Sequence, residues 1–208
     1  MPKLEATVRR DQVIRATYRA FIDKGANEVT LEVIAKYAGC SKGVVAYHFH
    51  SKEEVYVELL EWLIEQIRQQ VEDNVGAASG AEAKLLALVN TIFLSARDNR
   101  RFFLVYLDFL AQGLRNASFR PTNILFYELC ARSGAEIVEL GMAEGIFRPV
   151  DREEAGRFIR AVFDGLSIQW LFDESAPPEE TFERYKAWAV SSIRAYLGAE
   201  TIKVVSSQ

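Results

Sequence analysis

Apolar residues recur every three or four positions almost from one end of this chain to the other, and only five prolines interrupt its 208 residues. That spacing is the period of an α-helix with one buried face. No segment carries a convincing strand pattern, so the chain reads as a stack of amphipathic helices. Ile14, Tyr18, Phe21 and Ile22 mark the first apolar face, and Gly25 follows where a helix C-terminus favours glycine. Thr30 stands as a cap before Leu31, Ile34, Ala35 and Ala38, and Gly39 ends that short helix. Ser41 caps a third helix expected over 42–49. Ser51-Lys52-Glu53-Glu54 has the form of a capping box and opens a long fourth helix along Val55, Leu59, Leu63, Ile67 and Val71. After the break at 76–80, helices are expected at about 82–96, 101–112, 122–144, from the cap Asp151 through Trp170, and at 179–197. Residues 116–121 read as a loop and 199–208 as a frayed tail. The expectation is an all-α fold of about nine helices.

The chain is half hydrophobic and about a quarter charged, the balance of a soluble globular protein. It has no apolar run of 18 residues and no signal-type stretch at its start, which points to a cytoplasmic protein without a membrane partner. Cys40 and Cys130 lie far apart without metal-type spacing, as reduced thiols would. The net charge of −4 divides unevenly. Residues 1–55 hold nine basic and seven acidic side chains and both histidines, so the head is mildly basic and the remainder acidic. That asymmetry suits a protein whose head alone meets phosphate.

The stretch from Thr30 to Phe49 supplies the parts of a helix-turn-helix. A first helix has the small Ala35 where its neighbour must approach, Gly39 makes the turn, and a second helix has Val45 and Phe49 inward. Lys42, Gly43, Val44, Tyr47 and His48 are left to face a major groove. The wider stretch 10–61 resembles the DNA-binding domain of the TetR/AcrR family of bacterial transcriptional regulators. The resemblance rests on Ala16-x-x-x-x-Phe21, Gly25, Thr30-x-x-x-Ile34-Ala35, Ala38-Gly39-x-Ser41-Lys42-Gly43 and His48-Phe49-x-Ser51-Lys52-Glu53. Two positions depart from it. Ala16 is followed by Thr17 where a second alanine is frequent, and Ala46 stands where an aromatic residue is frequent.

Side-chain chemistry and this resemblance together imply roles. Thr30, at a helix N-terminus, can hold a phosphate. Lys42 and Lys52 are phosphate contacts. Gly43 marks close backbone approach, and Val44 can meet a thymine methyl. Tyr47 and His48 can donate to phosphate, and Tyr47 can also reach a base edge. His48, His50 and Cys40 lack a fourth ligand and zinc spacing, so no metal is expected.

The body of the chain has no histidine beyond residue 50, no phosphate loop, no dinucleotide fingerprint and no di-iron motif, so neither an enzyme nor a cofactor is expected. Its aromatic residues are mainly core material. In proteins similar to TetR, however, the middle helices enclose a pocket for an inducer. The residues so implicated are Trp62, Gln66, Phe93, Tyr106, Phe109, Tyr127, Phe163 and Trp170. Asp108, Glu61 and Glu128 lie near such aromatics and would suit a lipophilic cation, although exposed acids on helix surfaces read the same way. The eighth helix is apolar over a broad arc. The ninth adds Phe182, Tyr185, Trp188, Ala189, Ile193 and Tyr196, and the resemblance implies a homodimer through both. The functional expectation is a DNA-binding repressor (head at 1–52, ligand-binding and dimerisation body at 53–198) that an unidentified small molecule releases from a palindromic operator. The alternative is a helix-turn-helix regulator that senses no small molecule.

Overall fold

The structure is a computed structural model that describes the backbone of residues 2–199 and side chains from Arg10 to Ala199. Apart from Ala199, the tail expected to fray lies outside the described residues. Nine α-helices and no strand occur among those residues: α1 (Pro2–Lys24), α2 (Leu31–Ala38), α3 (Lys42–His48), α4 (Lys52–Ala77), α5 (Ala81–Ile92), α6 (Ala96–Arg115), α7 (Arg120–Ala143), α8 (Arg152–Trp170) and α9 (Pro178–Leu197). No helix among them is long and apolar enough to cross a membrane.

The helices form two compact units. The first contains the chain up to Ile67 together with Arg100–Phe126, and the second contains Arg68–Asn99 and the chain from Tyr127 onward. The helix-turn-helix therefore shares its unit with most of α6.

In the first unit α1 packs on α2 and α2 on α3. Val13, Ile14, Ala16, Ala20 and Phe21 of α1 are buried, as are Ile34, Ala35 and Ala38 of α2 and Val45 of α3. Thr17 is fully buried too. Its hydroxyl donates to Val13 O at 2.8 Å, so a polar group in the core is satisfied by its own helix. Gln12 reaches the end of α2, where its amide donates to Ala38 O at 2.6 Å. Phe21 stacks on Phe109 at 5.8 Å and meets Tyr56 edge-on at 4.4 Å, joining α1, α4 and α6 in one aromatic core.

In the second unit α8 packs on α9 and α5 on α9. α7 and α8 approach so closely that a Cβ on Gly156 would stand 2.2 Å from Ala131 O. Glu144 caps α5 by accepting from Ala81 N at 2.9 Å. Arg148 closes the C-terminus of α9, where its Nε donates to Tyr196 O at 2.7 Å and its backbone N–H to Leu197 O at 2.8 Å.

Three boundaries differ from expectation for identifiable reasons. α5 stops at Ile92, and Phe93 is its cap with φ −96° and ψ 65°. α6 begins at Ala96 because Ser95 caps it: the Ser95 hydroxyl accepts from Asp98 N at 3.0 Å and donates to Asp98 Oδ2 at 2.8 Å. α7 begins at Arg120, with Pro121 in its first turn, where a missing N–H is harmless.

Candidate DNA-binding site

The local frame of the site is fixed by caps. Thr30 has extended backbone (φ −116°, ψ 168°), and its Oγ1 accepts from Val33 N at 3.3 Å, starting α2. Gly39 takes the left-handed conformation, φ 67°, that the turn requires. Ser41 Oγ accepts from Val44 N at 3.3 Å and starts α3. Ser51 Oγ accepts from Glu54 N at 3.1 Å, while Glu54 accepts from His50 N at 2.8 Å, so the expected box reaches one residue further back.

On this frame α3 has two unlike faces. Val45 and Phe49 are fully buried. Lys42, Gly43, Ala46 and Tyr47 are exposed, Tyr47 at 79 % of its surface, whereas Val44 and His48 are half-buried. Thr30 is also exposed. Lys42 pairs with Glu32 of α2, whose carboxyl is held below its usual range chiefly by that hydrogen bond. Gly43 has no positive φ, and a Cβ there would meet nothing nearer than Ser41 Oγ at 3.7 Å. The fold itself does not require glycine at this position. Ala46 contributes no side chain beyond its methyl group, so the exposed face is low between Lys42 and Tyr47.

Lys52 lies differently from the other candidate contacts. It is half-buried, its ammonium donates to Ala26 O at 2.8 Å, and it sits 5.0 Å over the Tyr56 ring. Burial lowers its pKa from the usual value.

Sequence reasoning missed Arg10. Its guanidinium grips Glu58 of α4 through two 2.6 Å bonds. It also donates to His48 O at 3.2 Å and lies 4.7 Å over the Phe49 ring. A cation thus closes the C-terminal end of α3, where the last carbonyls are unpaired and the helix dipole is negative.

The candidate ligand residues fall into separate groups. Within the first unit, Tyr106 is buried against Phe102 (5.2 Å) and Phe126 (5.1 Å), and Phe109 against Phe21 and Phe119. Trp62 is half-buried beside Tyr18, with the Arg15 guanidinium 5.4 Å over its ring, and Gln66 is exposed. Within the second unit, Phe93, Phe163 and Trp170 gather around Phe182: Phe93 lies 6.0 Å from Phe163 and 5.6 Å from Phe182, and Trp170 lies 4.9 Å from Phe182. Tyr127 is exposed and faces the Arg160 guanidinium at 5.2 Å. Glu61 and Glu128 are exposed, and Asp108 accepts a hydrogen bond from Ala26 N. Among the described residues no group of three or more His, Cys, Asp or Glu side chains could hold a metal ion.

Two family models match the chain. Residues 13–59 match that of the bacterial regulatory proteins of the tetR family, and residues 81–198, more than half the chain, match that of the BetI-type transcriptional repressor C-terminal domain. The chain is 28 % identical over 158 residues to the HTH-type transcriptional regulator BetI of Yersinia pestis, covering 69 % of this chain and 80 % of the relative. It is 29 % identical over 177 residues to the HTH-type transcriptional regulator TtgR of Pseudomonas putida, covering 81 % and 83 %. A putative transcriptional regulator from Saccharomonospora viridis, solved in complex with choline, has the same fold with a TM-score of 0.84 at 21 % identity, covering 94 % of this chain and all of that one. The two unlike faces of α3, the caps that hold it and these matches together show that the chain belongs to the TetR family of DNA-binding transcriptional regulators, with a C-terminal domain of BetI type.

Proposed function

We propose that this regulator is a homodimeric repressor that occupies a palindromic operator and is released from it by a small molecule. The observation that carries the DNA part is the α3 surface: Lys42, Gly43 and Tyr47 are exposed on a helix whose opposite side, Val45 and Phe49, is locked in the core. Lys42 and Thr30 address phosphate, which gives affinity and register. Val44 and Tyr47 are left to read base edges where Gly43 lets the helix come close to the DNA, and His48 donates to a phosphate at the rim. Gly43 has no role in the fold that only glycine fills, and close approach of a DNA backbone gives it one.

Two-fold association is supported by α9. Along its exposed side Ala187, Ser191 and Ala195 recur every fourth residue beside a half-exposed Trp188, a surface that another helix can approach closely. A two-fold dimer through α8 and α9 suits a palindrome, whose half-sites repeat about every 34 Å, one turn of DNA.

The sensing part is supported by the aromatic content of the body and by the choline bound to the structural neighbour. A small organic cation held mainly by aromatic rings is the effector class we put first. The second reading, a regulator without small-molecule sensing, is favoured by the close packing of Phe93, Tyr106, Phe109, Phe163 and Trp170 against other rings.

The experiment is a mobility shift with the protein's own upstream DNA, alone and with choline. We expect a retarded complex, its loss with Lys42→Ala and Tyr47→Ala combined, and its release by the cation. Tight binding by the double variant rejects the contact assignment. A complex indifferent to choline and to a panel of other cations favours the second reading.

A further inference from the structure

The turn between α1 and α2 is held by side chains that neither helix supplies. Ala26 is 7 % exposed, so both polar groups of its backbone need partners within the protein. Its N–H donates to Asp108 Oδ2 of α6 at 3.2 Å. Its carbonyl accepts from Lys52 Nζ at 2.8 Å and from Tyr56 Oη at 3.0 Å, both on α4. The Tyr56 hydroxyl also lies 3.2 Å from Val29 O, three residues on, and Val29 is fully buried. Carboxylate on the donor and ammonium on the acceptor match the polarity of the bonds, and charge-assisted bonds are the stronger kind. The next residue is Thr30, which starts α2 and stands at the DNA surface.

We propose that Lys52, Tyr56 and Asp108 are positioning residues for DNA binding: they hold the 25–30 turn so that Thr30 and α2 meet the phosphate backbone, and Lys52 acts through this turn without touching phosphate. The proposal rests on the DNA-binding reading above and changes one of its assignments. Lys52 sits at the sequence position where a phosphate contact is expected, yet its ammonium is turned inward over the Tyr56 ring. Burial raises the Tyr56 phenol above its ordinary pKa, with the Asp108 charge adding to it, so the hydroxyl stays a donor across the accessible pH range.

Salt titration of DNA affinity tests this, because a lost phosphate contact flattens the salt dependence by about one unit of slope whereas a lost positioning bond leaves the slope unchanged. Operator affinity is measured at several salt concentrations, well below the unfolding temperature, for Tyr56→Phe, Asp108→Ala, Asp108→Asn and Lys52→Ala, with Lys42→Ala as the phosphate-contact standard. Expected are losses of about fivefold for Tyr56→Phe, Asp108→Ala and Lys52→Ala, the size of one net hydrogen bond, with the wild-type slope. Asp108→Asn keeps an acceptor for Ala26 N–H and restores most of the affinity. Faster exchange of the Ala26 amide in Asp108→Ala, read without DNA, reports the broken bond directly.

A slope reduced by about one unit in Lys52→Ala makes Lys52 a phosphate contact and overturns its assignment. Full affinity in Tyr56→Phe and Asp108→Ala, even with lowered thermal midpoints, makes the clasp merely structural and overturns the rest. If Asp108→Ala fails to fold, the nearly isosteric Tyr56→Phe decides. A wild-type protein that binds no duplex overturns the DNA reading and this proposal together, whereas a binding wild type with unresponsive variants overturns this proposal alone.

Discussion

Arg160 is an arginine in a place where arginines are rare, 6 % exposed on α8. It is 2.8 Å from Asp164, one turn along, and its Nη1 reaches Cys130 Sγ at 3.4 Å. Burial pushes the Asp164 carboxyl above its ordinary pKa despite the guanidinium beside it. The two partners are therefore not equivalent. Without Arg160 the acid can take up a proton and become neutral, whereas without Asp164 the guanidinium stays charged. We expect Asp164→Ala to cost about 3 kcal/mol and Arg160→Met distinctly less, in urea unfolding at neutral pH. Asp173 behaves in the opposite way. The hydroxyl and N–H of Ser175, then Arg184, lower its carboxyl to about 2. Its contribution to stability is in full at pH values above the ordinary carboxylate range, declines as pH falls below it, and is gone below about 2. Ser175→Ala should raise the Asp173 midpoint in an NMR titration, since the largest cause is removed. These roles are poorly legible in a sequence, because partners such as Arg10 and Glu58 lie 48 positions apart and Ala26 and Asp108 lie 82 apart. Thr30 and Ser41, by contrast, act within three residues of themselves, and their capping roles can be read directly.

Helices pack by what their surfaces allow, and α8 contains two glycines with opposite constraints. Gly156 faces α7 so closely that an added Cβ would meet the Ala131 carbonyl at 2.2 Å, whereas at Gly165 the same atom would meet nothing within 4 Å. Gly156→Ala should lower stability by about 1–3 kcal/mol through overpacking. Gly165→Ala should raise helix stability by up to about 1 kcal/mol. Thermal unfolding of the two single variants separates the effects, and equal behaviour would contradict the α7–α8 contact. Periodicity and caps made the existence and order of the helices legible, since each signal is local. Boundaries were legible only where the signal was unambiguous. Ser95 is hard to recognise as a cap because apolar residues on both sides, Phe93 and Leu94 before it and Ala96 after it, continue a plausible helix. Pro121 read as a loop residue because proline is permitted in the first turn of a helix and also outside one.

At the scale of the whole molecule, the proposed repressor matches its operator with two copies. Sedimentation should show a dimer at micromolar concentration. Ala187→Arg combined with Ala195→Arg, which places two bulky charges on the small-residue side of α9, should shift it toward monomer. Operator affinity should fall in parallel, because a single head retains one half-site. A monomeric wild type that still binds its operator tightly would contradict the two-fold arrangement. The acidic remainder of the chain suits this division of labour, since it repels the DNA that the head attracts.

The low surface that Ala46 leaves on α3 has a use beyond the natural operator. Ala46 is exposed, while the residues that hold α3 in place, Val45 and Phe49, are on the other side. The proposed address and the architecture thus fall on different side chains. A longer residue at 46, such as glutamine or arginine, can be introduced without touching the core, and on the proposed contact assignment it should change which operators the helix prefers, one position at a time, toward regulators that ignore one another's promoters.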